Sequence, residues 1–184
     1  DQIVYRNKAR IDDDIYVSGN LGDSYLGLLI LENKIRLNSL LSKYFTKKYF
    51  MPDIQSKLTN QIMKFANTSI DISDGLLADM EKMINSQKLS YSLDLKKIPI
   101  SKNLKKVLDL KKLPKSNYIS NGDDYQVLFT ASKNKRRIIK KISSSYRIKI
   151  TKIGSIQTIT KKSSLIDDEN RIISLKNKGY FHQF

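Results

Sequence analysis

Residues 68–77 read Thr-Ser-Ile-Asp-Ile-Ser-Asp-Gly-Leu-Leu, and the organisation of the chain follows from them. Thr68 to Ile72 is short and β-prone. The Asp-Gly pair at 74–75 then breaks the chain, and Leu76, Leu77, Met80, Met83 and Ile84 fall at the spacing of one helix face. Strand, tight turn and helix start thus occur within ten residues. Two carboxylates and a hydroxyl sit at the turn. Alternation in the extended part puts Asp71 and Ser73 on one side. Gly75 would let the backbone approach a ligand, and the helix start would offer open N–H groups and a positive dipole end to phosphate oxygens. The carboxylates suit Mg²⁺, a hard cation that takes oxygen ligands. By local chemistry alone, the more ordinary reading is that Ser73 or Asp74 caps the helix.

The same alternation of strand and helix extends to both sides. Upstream, Asp14–Ser18 reads as a strand, Gly19–Asp23 as a break, and Ser24–Glu32 and Ile35–Tyr44 as helices. After Pro52 an apolar stripe runs through Ile54, Leu58, Ile62, Phe65 and Ala66. Downstream, Tyr91, Leu93 and Leu95 alternate as in a half-buried strand. Ser101 can cap a helix to about Leu110, and Pro114–Gly122 reads as loop. Tyr125–Ala131 is a strand, Ser132 can cap a basic helix, Tyr146–Ile150 is another strand, and a hairpin is expected near residues 167–170. The predicted class is α/β (α+β), one layered domain with a mixed sheet covered by helices.

Composition narrows the chemistry. There are 184 residues, enough for one core, and no cysteine, which removes disulfides, thiolate zinc sites and cysteine nucleophiles. His182 is the single histidine, so a histidine metal cluster is excluded. No apolar run approaches the length of a membrane span. The cysteine-free composition fits a reducing compartment, and the expected location is cytoplasmic. The formal net charge is +16, but only 7 of the 34 basic residues are Arg. A Lys excess spread over many helices reads as solvated surface. Steering of phosphorylated molecules comes second, and a Lys-rich nucleic-acid-binding module is the third and least favoured alternative.

Three further segments could carry chemistry. Gly19-Asn20-Leu21-Gly22-Asp23-Ser24 lies between strand and helix but has neither the G-x-G-x-x-G nor the Walker A spacing, and reads as a turn with an Asp23 or Ser24 cap. Ser120-Asn121-Gly122-Asp123-Asp124-Tyr125 places two adjacent acids before a strand, where they could bind a metal or a polar substrate; the ordinary reading is an Asn-Gly turn. Gly179-Tyr180-Phe181-His182-Gln183-Phe184 offers aromatic rings that could stack on a flat ligand or dock into the core.

Taken together and in order, these segments resemble the thiamine-monophosphate kinases, a family of the aminoimidazole ribonucleotide synthetase-related superfamily. The family's Asp-x-Ser-Asp-Gly-Leu is matched by Asp71–Leu76, its Gly-Gly-Glu-Asp-Tyr by Asn121–Tyr125, its Ile-Gly by Ile153-Gly154 and its closing Gly-aromatic-x-His-Phe by Gly179–Phe184. Its upstream Arg-x-Gly-Ala-x-Pro-Gly-Asp, strand and Thr-Gly-x-Leu-Gly correspond to Arg6–Asp13, Ile15–Val17 and Ser18–Gly22. Departures are Asn121 and Asp123 in the second motif, Lys8, Ile11 and Asp12 upstream, and the extra Gln183. The resemblance implies ATP-dependent phosphorylation of thiamine monophosphate to thiamine diphosphate, with Mg²⁺ as cofactor. It implies that Asp71 and Asp74 are metal ligands, that Arg6 and Ser73 contact ATP, and that Asp123 and Tyr180 hold the thiamine part of the substrate. It also implies that residues 1–184 are the C-terminal domain. An N-terminal domain with most metal aspartates and the homodimer contact would be missing, so the chain alone would be inactive. Other enzymes of the superfamily, such as aminoimidazole ribonucleotide synthetase or selenophosphate synthetase, are the nearest alternatives. The paired Asp-x-Ser-Asp-Gly and Gly-Asp-Asp-Tyr segments argue against them.

Overall fold

In a computed structural model, residues 4–167 and 169–173 are described. Six strands form one mixed sheet: β1 (Asp14–Ser18), β2 (Thr68–Asp71), β3 (Leu89–Asp94), β4 (Val127–Ala131), β5 (Ile150–Thr158) and β6 (Ser164–Ile166), in the spatial order β2-β4-β1-β5-β3-β6. All the ladders are antiparallel except β3 with β6. The helices are α1 (Asp23–Leu31), α2 (Ser39–Phe50), α3 (Ser56–Ile62), α4 (Leu76–Met83), α5 (Lys102–Lys111), α6 (Lys115–Ile119) and α7 (Arg136–Tyr146), with a 3₁₀ turn at Lys133–Lys135.

The central strand β1 is buried along its whole length, and its alternation divides the core into two layers. Ile15 and Val17 join Ile72, Leu76, Met80, Met83, Leu93, Leu128 and Ile153 under α4. Tyr16 faces the other way, into a cluster with Leu58, Ile62, Phe65, Phe129, Ile139 and Ile142 from α3, β4 and α7. Tyr16 and Phe129 are register partners, and their rings stack at 5.2 Å. Period-2 side chains on a strand buried on both faces therefore fix the register, since a one-residue slip would exchange the two cores. A third cluster, around Phe45, Leu104 and Val107, ties α1, α2, α5 and α6 into a side layer.

The predicted Ser101 cap is present: its hydroxyl accepts the Leu104 N–H at 2.9 Å. Several details differ from the sequence reading, the second helix running over Ser39–Phe50 instead of Ile35–Tyr44. Pro114–Gly122 is not all loop, because Lys115–Ile119 forms α6 and buries Tyr118 and Ile119. Tyr146 closes α7 instead of opening a strand, and β5 begins only at Ile150. The left-handed Arg147 (φ 55°) makes that break. Ser132 does not cap through its side chain; its hydroxyl turns to Asp13.

Candidate active site

Three loops converge at one edge of the sheet. β2 runs out at Asp71, opposite the start of β4 at Val127, and β1 ends two strands across at Ser18. The β2–α4 loop and the loop before β4 are joined through their backbones. Ile72 N–H donates to the Gln126 carbonyl at 2.8 Å, Tyr125 N–H to the Ile72 carbonyl at 2.9 Å, and Asp123 N–H to the Ser73 carbonyl at 3.0 Å. Two glycines make this contact possible. A Cβ on Gly122 would stand 1.8 Å from the Ser73 carbonyl oxygen, and one on Gly75 (φ 117°) 2.2 Å from that of Ser120. Gly75 is thus required by the neighbouring loop's backbone, which corrects the expectation that it makes room for a ligand.

The loop is held from inside by Asp79, a residue to which the sequence reading gave no role. This fully buried carboxylate lies on α4, and its Oδ2 accepts three successive N–H groups: Ser73 at 2.9 Å, Asp74 at 2.8 Å and Gly75 at 3.1 Å. Burial pushes the carboxyl above its usual range; the Asp74 N–H and the Lys82 ammonium oppose this. Two earlier expectations are corrected by it. The N–H groups of Ser73, Asp74 and Gly75 are not open to phosphate, and neither Ser73 nor Asp74 caps the helix, since Gly75 is the N-cap of α4 and no side chain caps it. An acid in the first turn was the available signal.

With its backbone secured in this way, the loop turns its functional side chains outward. Asp71 is exposed, Ile72 buried, and Ser73 and Asp74 half-buried, as alternation predicts. Asp74 ion-pairs with Lys82. Asp123, in a left-handed conformation (φ 66°), meets them from the opposite loop. Burial raises its carboxyl pKa, a hydrogen bond from Tyr125 opposes the shift, and the nearby Asp74 charge adds to it. Asp71, Ser73, Asp74 and Asp123 therefore share one patch. The backbone at Arg6 is anchored away from it. Its neighbours Tyr5 and Asn7 are fixed to Thr68 and Met83, at the far ends of β2 and α4. Three strand steps place that anchor roughly 10 Å from Asp71. Tyr180 lies outside the described residues.

Asp71 and Asp74 have the chemistry of Mg²⁺ ligands, hard oxygens on one short loop. Among the described residues, no group of three or more His, Cys, Asp or Glu could hold a metal. Two carboxylates fit a cation that takes its remaining ligands from phosphate and water, the usual arrangement for Mg²⁺.

The thiamine-monophosphate kinase of Buchnera aphidicola subsp. Acyrthosiphon pisum is 35% identical to this chain over 184 residues, which cover 97% of the chain and 55% of that protein. This chain belongs to the thiamine-monophosphate kinase family. The kinase structure from Stenotrophomonas maltophilia K279a superimposes with a TM-score of 0.79 at 27% identity, over 91% of this chain and 53% of that one. AaThiL, solved in complex with AMPPCP and TMP, superimposes at 0.77 with 27% identity, over 97% and 54%. The chain matches no protein-family model. It spans about half the length of the curated thiamine-monophosphate kinases it matches. The fold is that of the aminoimidazole ribonucleotide synthetase-like proteins.

The segment resembling the kinases' Gly-Gly-Glu-Asp-Tyr motif separates its two acids. Asp123 faces the patch, whereas Asp124 is buried and accepts the Gly22 N–H at 2.7 Å, latching the β1–α1 loop to the loop before β4. The expectation that both acids could serve a ligand therefore narrows to Asp123. The Gly19–Asp23 turn is real, but the N-cap of α1 is Gly22 with no side-chain cap, and Asp23 instead accepts hydrogen bonds from Ser101 at 2.7 Å and Tyr44 at 2.9 Å. In the upstream segment, Asp13 is also internal, accepting from Asn67 at 2.8 Å and Thr130 at 3.1 Å.

Burial pushes the Asp124 carboxyl up to about 8, with the Gly22 N–H opposing the shift and Asp23 adding to it. Between the ordinary carboxylate pKa and about 8, the folded chain then holds a proton that the unfolded chain has released. Stability from this group falls as pH rises through that window, by at most about 1.4 kcal/mol per pH unit. Asp124→Asn keeps an acceptor for Gly22 and removes the titration. The melting temperature of Asp124→Asn minus that of wild type should therefore increase from pH 5 to pH 8. A difference that is flat across this range would refute the buried, protonated carboxyl.

Proposed function

We propose that this chain is the C-terminal domain of an enzyme that phosphorylates thiamine monophosphate to thiamine diphosphate, with ATP as donor. The observation that carries this reading is the joining of Asp71, Ser73, Asp74 and Asp123 into one patch on the fold shared with AaThiL, which was solved with AMPPCP and TMP. In that patch Asp71 and Asp74 hold Mg²⁺, Ser73 contacts the nucleotide phosphates, and Asp123 receives the thiamine part of the substrate together with Tyr180. Arg6 contacts ATP at a distance from the metal loop. Mg²⁺ held here supplies charge neutralisation between two repelling anions.

The nucleophile is a phosphate oxygen whose second pKa is about 6, so it is already anionic near neutral pH. A strong general base is unnecessary, and positioning carries the catalysis. A patch of carboxylates without histidine or cysteine suits that demand. The remaining length of the relatives corresponds to an N-terminal domain with further metal ligands and a homodimer contact, which leaves the 184-residue chain inactive alone. Among the described residues no helix is long and apolar enough to cross a membrane; a cytoplasmic location is part of the proposal.

The test restores the upstream half. The complete chain with ATP, Mg²⁺ and thiamine monophosphate should yield thiamine diphosphate, resolved by chromatography, and chelation should abolish the product. A well-folded complete chain that makes none refutes the reading. Turnover by residues 1–184 alone refutes the inactivity of the isolated domain.

A further inference from the structure

Lys82 occupies the ground in front of Asp74. It projects from the last turn of α4, and its ammonium pairs with Asp74 and stands 3.4 Å from Asp79 Oδ1. The other Asp79 oxygen is committed to the loop N–H groups, so one lysine faces two acids of which one cannot leave. Asp79 and Lys82 are three residues apart on one helix, a spacing that keeps the ammonium over the loop whatever Asp74 does. The Lys82 side chain is 47% exposed. A flexible stem with a strongly hydrated head can retreat into water at little cost.

A carboxylate oxygen that faces an ammonium cannot at the same time present that face to a divalent cation. We propose that Lys82 is a tethered counter-ion that neutralises Asp74 while no metal is bound and must swing away before a divalent cation can bind there. The inference rests on the reading of Asp74 as a metal ligand. It gives the loop a resting state in which Asp74 is paired and held by the chain itself, at the expense of metal affinity.

The probe is Mn²⁺, titrated into the complete chain with its upstream half restored, with free Mn²⁺ followed by electron paramagnetic resonance. Lys82→Gln should bind roughly two- to fivefold more tightly than wild type, the range expected when a partly exposed ion pair is removed as a competitor. Adding Asp74→Asn should abolish the gain. Lys82→Arg keeps the charge and should bind no more tightly than wild type. Equal affinity of wild type and Lys82→Gln, both weakened by Asp74→Asn, overturns the counter-ion role and leaves Asp74 a ligand. Tighter binding by Lys82→Arg also overturns it. If no form binds Mn²⁺, the ligand reading of Asp74 fails and takes the inference with it.

Discussion

Asp74→Asn in the complete enzyme should reduce turnover by about a hundredfold or more and leave the melting temperature nearly unchanged. The two effects separate because the backbone and the side chain of Asp74 have different tasks. Its N–H is anchored by Asp79, which the substitution leaves in place. Its carboxylate faces outward and pairs with Lys82, and Lys82 keeps Asp79 as a second acid. An amide is isosteric but uncharged, so the fold loses little. Losing a charged metal ligand removes transition-state stabilisation of about 3 kcal/mol, near two orders of magnitude in rate. The check is kcat measured over a range of Mg²⁺ concentrations beside a thermal melt. Near-normal turnover at all of them removes Asp74 from the metal site.

Asp79→Ala should act the other way round, through stability. It strands three N–H groups inside the loop and deletes a buried acceptor at once. The expected cost is about 3 kcal/mol, which for a domain of this size corresponds to a fall in melting temperature of roughly 6–12 °C. Asp79→Asn retains one acceptor oxygen and should lose less. A thermal melt of Asp79→Ala within about 2 °C of wild type would show that water or a rearranged loop replaces the carboxylate, and the internal anchor would have to be abandoned.

The strand–turn–helix at 68–83 was legible because alternation, an Asp-Gly break and a helical stripe occur without a gap. β1 and β4 were legible for the same reason. β5 was misplaced because a register shift against β1, between Ile15 and Tyr16, leaves its buried residues Ile153 and Ile156 three apart, so no clean alternation marks it. Of the alternating residues before it, Tyr146 closes α7, Ile148 lies in the connection and only Ile150 belongs to the strand. At the site, the grouping of Asp71, Ser73 and Asp74 follows from local sequence. The different fates of Asp123 and Asp124 do not. Adjacent acids look alike in a string, and only the left-handed turn at Asp123 (φ 66°) sends one outward and the other beneath Gly22. Asp79 lay at a position where acids are favoured for the helix dipole alone, so its binding of the loop behind it could be seen only in three dimensions.

The strand order β2-β4-β1-β5-β3-β6 contains no pair of strands consecutive in sequence. Each ladder joins one of the first three strands to one of the last three. During synthesis the first 126 residues can therefore form helices but no part of this sheet. Each of the first three strands waits for a partner still to be translated, a delay of several seconds at ordinary elongation rates. Through that interval Ile15, Val17, Ile70, Ile72, Tyr91 and Leu93 have no ladder to join, and the β2–α4 loop has no opposing loop to lock it. Assembly of the sheet and of the site becomes one late event, which begins when β4 enters between β2 and β1.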